Sequence, residues 1–235
     1  MRAVLQGKTF LNKPLTQDSV CVLPISVSWD YHEKEYFQAT LRCVAQSFKS
    51  CRIVVCDLLQ RHSMIFFHPD KSIEEIDAYA IQLGDEWLAR HQAHFDLYLS
   101  SYTVERWTYW TTHPHYLTKK QIIEEQLRTD RLFKDAFIKT AEEIYFKFME
   151  HKRFGSIAVS KDRFIDKSCD YLVEEAAVVL LWESLHEDVL LYPKKLGKAM
   201  EHAMNLFLTK ERTFLTPLQL KFKNKTRDLF QNETS

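Results

Sequence analysis

The chain has 235 residues, of which 46% are hydrophobic and 27% charged, with 32 basic side chains balancing 32 acidic ones. That balance predicts a soluble globular protein of one domain, residues 1–235, with an ordered core from about 18 to 210. Zero net charge excludes a protein that grips nucleic acid over its whole surface, so any RNA contact has to come from a local patch.

Cys21, Cys43, Cys51, Cys56 and Cys169 are odd in number and show no Cys-x-x-Cys spacing, which favours reduced thiols over a disulfide or zinc framework. Early charges at Arg2, Lys8 and Lys13 leave no apolar signal region. No apolar run approaches the ~20 residues that cross a bilayer. A cytoplasmic protein without membrane contact is expected, as a monomer or homodimer.

Residues 20–27, Val-Cys-Val-Leu-Pro-Ile-Ser-Val, predict a strand buried on both faces, although Pro24 favours a strand end or edge. A helix is expected over about 33–48, with Ala39, Leu41, Cys43, Val44 and Phe48 inward. Residues 51–57, Cys-Arg-Ile-Val-Val-Cys-Asp, predict a second buried strand ending in an aspartate. Strand, helix and strand over ~38 residues match a right-handed parallel crossover. Ser72 with Glu75 three residues on forms a capping-box pattern for a helix over 73–93.

Residues 95–100 are expected as a third strand, and 119–152 as one long helix or two broken ones. The apolar positions of that long stretch are Ile122, Ile123, Leu127, Phe133, Phe137, Ile144 and Phe148. Ser160 opens a helix to about Trp182, Val189 to Tyr192 form a short strand, and a helix follows Pro193 to about Thr209. The last 20 residues, with Lys221, Lys223, Lys225 and Arg227, are expected to fray.

Alternating strands and helices predict an α/β, doubly wound, Rossmann-like domain: a central, mostly parallel sheet flanked by helices. Such sheets bind ligands at the carboxyl ends of their strands, near Ser26 and Asp57. No Gly-x-Gly-x-x-Gly turn, Walker loop or Gly-x-Ser-x-Gly elbow is present, against a dinucleotide site, a nucleoside triphosphate site and an ordinary α/β hydrolase.

Ser26, at a strand end, is a candidate nucleophile, and taken alone reads as well as a turn residue. Tyr171 and Glu175 stand four apart and share a helix face, but so do Tyr31 and Glu35. Tyr192 before Pro193 suits a strand terminator. The pairs His91/His94 and His113/His115 lack a completing ligand, so no metal is expected.

Taken together, Ile25-Ser26, Tyr171-x-x-x-Glu175 and Leu191-Tyr192-Pro193 resemble the cyclodipeptide synthases. Thr129-Asp130-Arg131-x-Phe133 is similar to a family segment too, so the resemblance covers about residues 20 to 205. Tyr192-Pro193 is similar to the subgroup with a Tyr-Pro pair, and Trp29 stands where the other subgroup carries asparagine.

The resemblance implies a fold like the catalytic domain of class I aminoacyl-tRNA synthetases and two aminoacyl-tRNAs as substrates, joined into a 2,5-diketopiperazine. It implies aminoacyl and dipeptidyl esters on Ser26, an α-ammonium held by Glu175 with Tyr171, and proton relay by Tyr192. No cofactor or metal is expected, because the tRNA esters are already activated. The resemblance places Val22, Pro24, Val54, Val178 and Leu190 around the first side-chain pocket, where apolar walls suit a hydrophobic amino acid, and Trp29 is expected to bind substrate as well. The five aliphatic residues suit plain core equally well.

One departure concerns RNA. Relatives carry a basic helix for the tRNA acceptor arm, whereas 73–93 offers only Arg90 against Glu74, Glu75, Asp77, Asp85 and Glu86. The remaining candidates for tRNA contact are Lys119, Lys120, Arg128, Arg131, Lys134, Lys194, Lys195 and Lys198. The alternative reading is a catalytically silent synthetase-like protein that binds charged tRNA or a protein partner. Neutral charge favours that alternative; the joint presence of Ser26, Tyr171, Glu175 and Tyr192 favours the enzyme.

Overall fold

The computed structural model describes residues 1–6, 19–27, 29–150, 159–184, 189–208 and 216–223. The described elements are, in chain order, β1 (Arg2–Gln6), β2 (Val20–Ile25), α1 (Lys34–Ser47), β3 (Ser50–Val55), α2 (Arg61–Met64), α3 (Ile73–Tyr98), β4 (Tyr102–Arg106) and α4 (Trp107–Thr111). There follow α5 (Tyr116–Thr129), α6 (Arg131–Glu150), α7 (Lys161–Ser184), β5 (Val189–Tyr192), α8 (Lys198–Phe207) and β6 (Thr216–Lys223).

The strands form one sheet in the order β1-β6-β5-β2-β3-β4, antiparallel between β1 and β6 and parallel elsewhere. From β2 the chain winds outward through β3 to β4, then returns to lay β5 and β6 on the other side. The reversal falls between β2 and β5, the position where doubly wound sheets open a crevice. Alternate side chains of the central strands feed two cores. Cys21, Leu23, Ile53 and Val55 pack with α1 and α3, while Val22, Val54 and Leu190 pack with α5, α7 and α8. All five cysteines are free thiols, four of them buried.

Pro24 is the last residue but one of β2, near the strand end as expected, although β2 is a central strand and not an edge. The geometry explains how it is tolerated. The Ile25 carbonyl accepts from the Cys56 N–H, so Ile25 faces β3 and the backbone of Pro24, one residue earlier, faces β5. On that side the ladder holds only Cys21 and Val22, so Pro24 removes a donor where no partner remains. The strands part there, and the crevice begins.

Two expectations change, and one left open, the 119–152 stretch, is settled. Residues 95–98 are the last turn of α3, and the third strand is 102–106 instead. Trp87, His91, Phe95 and Leu99 are all buried at four-residue intervals, so the helical period overrides the strand-like alternation at its end. The 119–152 stretch is two helices parted at Asp130, whose carboxylate caps the second by accepting from Leu132 and Phe133 N–H at 2.8 and 3.1 Å. Its apolar list holds except at Ile122, which is exposed. Residues 216–223 form β6, paired to β1 and β5, so the sheet extends beyond the 18–210 span at both ends; Lys225 and Arg227 lie outside the described residues.

The loop after β3 is fixed by Asp57, fully buried, which caps Leu58 at 2.8 Å and binds the Arg106 guanidinium. Burial pushes the Asp57 carboxyl up in pKa, and the Leu58 N–H and Arg106 pull against it. Gly84 of α3 lies against this pair: a Cβ there would meet Asp57 Oδ2 at 2.6 Å and Arg106 Nη2 at 2.8 Å. Alanine would gain ~1 kcal/mol of helix propensity. Overpacking a buried ion pair costs about 3 kcal/mol, so the clash wins. Gly84→Ala is therefore expected to lower the melting temperature by roughly 4–8 °C, read by thermal unfolding. An unchanged or raised value would show that Asp57 and Arg106 are free to move.

Candidate functional site

Ser26 follows β2 directly and is 5% exposed. Its backbone is held twice: the N–H donates to His32 Nδ1 at 2.9 Å, and the carbonyl accepts from Trp29 N–H at 3.1 Å. His32 is fully buried, and burial pushes its pKa down to about 3, so it stays neutral with Nδ1 free to accept. Its own carbonyl accepts from the Trp87 indole at 3.1 Å. The turn that carries Ser26 is thus tied into the α3 side of the core.

Across the crevice, β5 ends at Tyr192. Its hydroxyl lies 3.1 Å from that of Tyr31, and the Ser26 hydroxyl interacts with both phenols. Burial raises the pKa of Tyr31, and raises Tyr192 to about 12, so both keep their protons at neutral pH. Three hydroxyls from two sides of the topological switch therefore form one cluster. Lys194 lies above it, its Nζ 4.7 Å from the centre of the Trp29 ring and 4.8 Å from that of Tyr31.

Helix α7 supplies the carboxylates. Glu174 and Glu175 are neighbours with opposite environments. Glu174 is 3% exposed and accepts from Arg61 at 2.5 Å, Trp107 Nε1 at 2.8 Å and His62 at 3.2 Å. Burial pushes it up, but the bonds from His62 and the Arg61 guanidinium outweigh this and hold it below the usual carboxylate range. Glu175 is partly buried, and no hydrogen bond or ion pair reaches it among the described residues. Burial alone lifts its pKa to about 7. Tyr171, one turn earlier, is raised by burial and then by Glu175.

Ser26, Trp29, Tyr31, Tyr171, Glu175, and Tyr192 all line a cavity of about 410 Å³, within the range of small-molecule sites. The structure thus brings together all four residues expected to do chemistry. Of the expected substrate contacts, Pro24, Trp29 and Leu190 line the wall, whereas Val22, Val54 and Val178 are fully buried core. Of the expected tRNA contacts, Lys194 and Lys195 reach the cavity wall and Lys119, Lys120, Arg128 and Arg131 do not. Lys120, Arg128 and Arg131 each face a carboxylate of their own helix, Glu124, Glu125 and Asp135. His91 and His94 bond Glu33 and Gln38.

Sequence reasoning missed Tyr31, which reads there only as half of a cheap Tyr-x-x-x-Glu spacing. It missed the Arg61–His62–Glu174–Trp107 group as well, which assembles from three separate segments and leaves no local pattern. Among the described residues no helix is long and apolar enough to cross a membrane, and no group of three metal-ligating side chains occurs.

No protein-family model and no curated protein sequence matches the chain. Solved structures do. A cyclodipeptide synthase (CDPS) from Fluoribacter dumoffii is 29% identical with a TM-score of 0.86, over 95% of this chain and 99% of that one. A cyclodipeptide synthase from Candidatus Glomeribacter gigasporarum, solved bound to Phe-tRNAPhe, is 16% identical with a TM-score of 0.72, over 94% and 95%. A tyrosyl-tRNA synthetase from Archaeoglobus fulgidus shares the fold at 11% identity and a TM-score of 0.51, over 87% of this chain and 55% of that one. The fold is Rossmann-like, and its structural neighbours include cyclodipeptide synthases.

Proposed function

We propose that the chain is a cyclodipeptide synthase of the Tyr-Pro subgroup, which joins the amino acids of two aminoacyl-tRNAs through esters on Ser26. The observation that carries this reading is the pairing of a buried serine, clustered with two protonated phenols, with the Glu175 carboxylate, unpartnered among the described residues, in the same cavity. Leaving a buried carboxylate without a partner costs stability, a cost that a substrate ammonium offsets, and the serine beside two phenols adds a group that can react.

In the first step the Ser26 oxygen bonds to the ester carbon of one aminoacyl-tRNA, and the tRNA ribose oxygen leaves with a proton. The α-ammonium of the held aminoacyl group meets Glu175, which the positive charge draws into its ionised form, while the Tyr171 hydroxyl lies one turn away. The amine of a second aminoacyl-tRNA then attacks the Ser26 ester. Its tRNA remains attached to the new dipeptide until Ser26 takes the dipeptidyl group in turn. Attack by the free amine on that ester closes the ring and releases Ser26. Tyr192 and Tyr31 form a hydroxyl chain at the serine through which its proton can leave and return. Two esters are spent for two amide bonds, so no further energy source is needed.

Mass spectrometry of the medium of bacteria expressing the chain is expected to reveal cyclic dipeptides absent from a control culture. Their masses would name the amino acids. A folded, soluble protein that yields none would instead support the silent charged-tRNA binder.

A further inference from the structure

We infer that Lys147, Lys194, Lys195 and Lys198, on the rim of the Ser26 cavity, form the entrance that holds the phosphates of the single-stranded 3′ end of charged tRNA. The inference rests on the proposed function and adds which surface the RNA uses. All four side chains line the cavity, Lys147 from the last turns of α6, Lys194 and Lys195 from the connection between β5 and α8, and Lys198 from the first residue of α8. That connection is anchored: the Ala199 N–H, in the first turn of α8, donates to Thr140 of α6 at 3.0 Å.

The charge pattern points to an absent anion. Lys147, Lys194 and Lys198 have no carboxylate partner among the described residues. Lys195 bonds Glu201 at 3.2 Å, and Glu143 is the other carboxylate on this rim. Lys194 is pushed down in pKa by burial and then by Lys147, as expected of like charges facing one another. Cations left together without counter-charge cost free energy that an arriving phosphate recovers.

Other surfaces fit less well. Helix α3 presents Glu74, Glu75, Asp77, Asp85 and Glu86, and its one arginine, Arg90, is bound to Glu33 at 3.0 Å. The cations of α5 and the start of α6 are mostly paired along their own helices, and Lys119, which is not, lies off the cavity wall. Geometry agrees with charge. When the ester carbon meets Ser26, the terminal ribose sits at the cavity mouth and the phosphates behind it fall at the rim.

The test uses Ser26→Ala as the parent, so that charged tRNA binds without turning over, and adds Lys147→Gln with Lys198→Gln. Lys194 is left in place because it packs on Trp29 and Tyr31. Affinity for aminoacyl-tRNA is expected to fall roughly tenfold in the lysine variant. The slope of log affinity against log salt should flatten by about 1.4, at about 0.7 per single-strand phosphate contact. Lys147→Arg with Lys198→Arg should restore both, and Lys120→Gln with Arg128→Gln should change neither. A parent that binds, with the glutamine variant equal to it in affinity and slope, overturns the inference and leaves the proposed function standing. A parent that does not bind charged tRNA at all overturns both.

Discussion

Ser26→Ala is expected to abolish cyclic dipeptide formation, by at least about a thousandfold, while leaving the protein folded. The separation of the two effects follows from how the residue is held. Both bonds that fix the turn, to His32 and from Trp29, belong to the Ser26 backbone and survive in alanine. The hydroxyl alone is lost, and Tyr31 and Tyr192 remain bonded to each other at 3.1 Å. The melting temperature should therefore move by only ~2 °C, as for loss of a weak side-chain hydrogen bond. Intact-protein mass spectrometry after mixing with aminoacyl-tRNA supplies the mechanistic readout. The wild type should gain the mass of one aminoacyl group, and the variant none. A folded variant that still makes product would remove the serine ester from the mechanism.

The central strands and the helices that begin with clear caps were legible because their signals are local. The β2, β3 and β5 sequences are apolar runs flanked by polar breaks, and Ser72 with Glu75 closes the capping box it spells, at 3.2 and 2.8 Å. The errors have a common cause. Residues 95–98 alternate like a strand because a helix end with one buried face and a short half-buried strand share the same few letters. Strand β6 carries alternating lysines, so it reads as a solvated tail; pairing with β1, more than 200 positions away in sequence, is what makes it a strand. Long-range partners leave no trace in a local window.

The site divides the same way. Ser26 and Tyr192 are strand-terminal residues, so placing β2 and β5 on either side of the switch point brings them together. Glu175 was legible as a position on a helix face but not as an unpartnered group. Its neighbour Glu174 has the same chemistry and is neutralised by Arg61, His62 and Trp107, three residues distant in sequence. Which of two adjacent carboxylates is satisfied depends on tertiary contacts alone. The side-chain pocket shows the same limit. Val22, Pro24, Val54, Val178 and Leu190 are all apolar and inward, yet Pro24 and Leu190 meet the cavity while the three valines are fully buried core, a distinction that tertiary packing makes and local sequence does not.

Glu175→Gln is expected to impair the enzyme and stabilise the protein together, the second effect depending on pH. On the proposed mechanism, losing the charge removes the partner of the substrate ammonium in a buried site, which costs about 3 kcal/mol or roughly a hundredfold in kcat/KM. The stability change has the opposite sign. In the unfolded chain this carboxyl titrates at its ordinary value, and in the native protein burial raises it to about 7. Between the two the native state binds more protons, so wild-type stability falls as pH rises from about 4.5 to about 7, and the full penalty applies above that. A shift of this size corresponds to about 3 kcal/mol. The variant carries no such group, so it should melt roughly 6–12 °C above the wild type at pH 8 and close to it at pH 4. Thermal unfolding of both proteins across that range is the measurement. A gap that stays constant with pH would mean that Glu175 is not held as a strained, titrating carboxylate. A gap that opens with pH would mean that the empty site strains to hold a negative charge as Glu175 ionises, the state that the proposed ammonium contact would relieve.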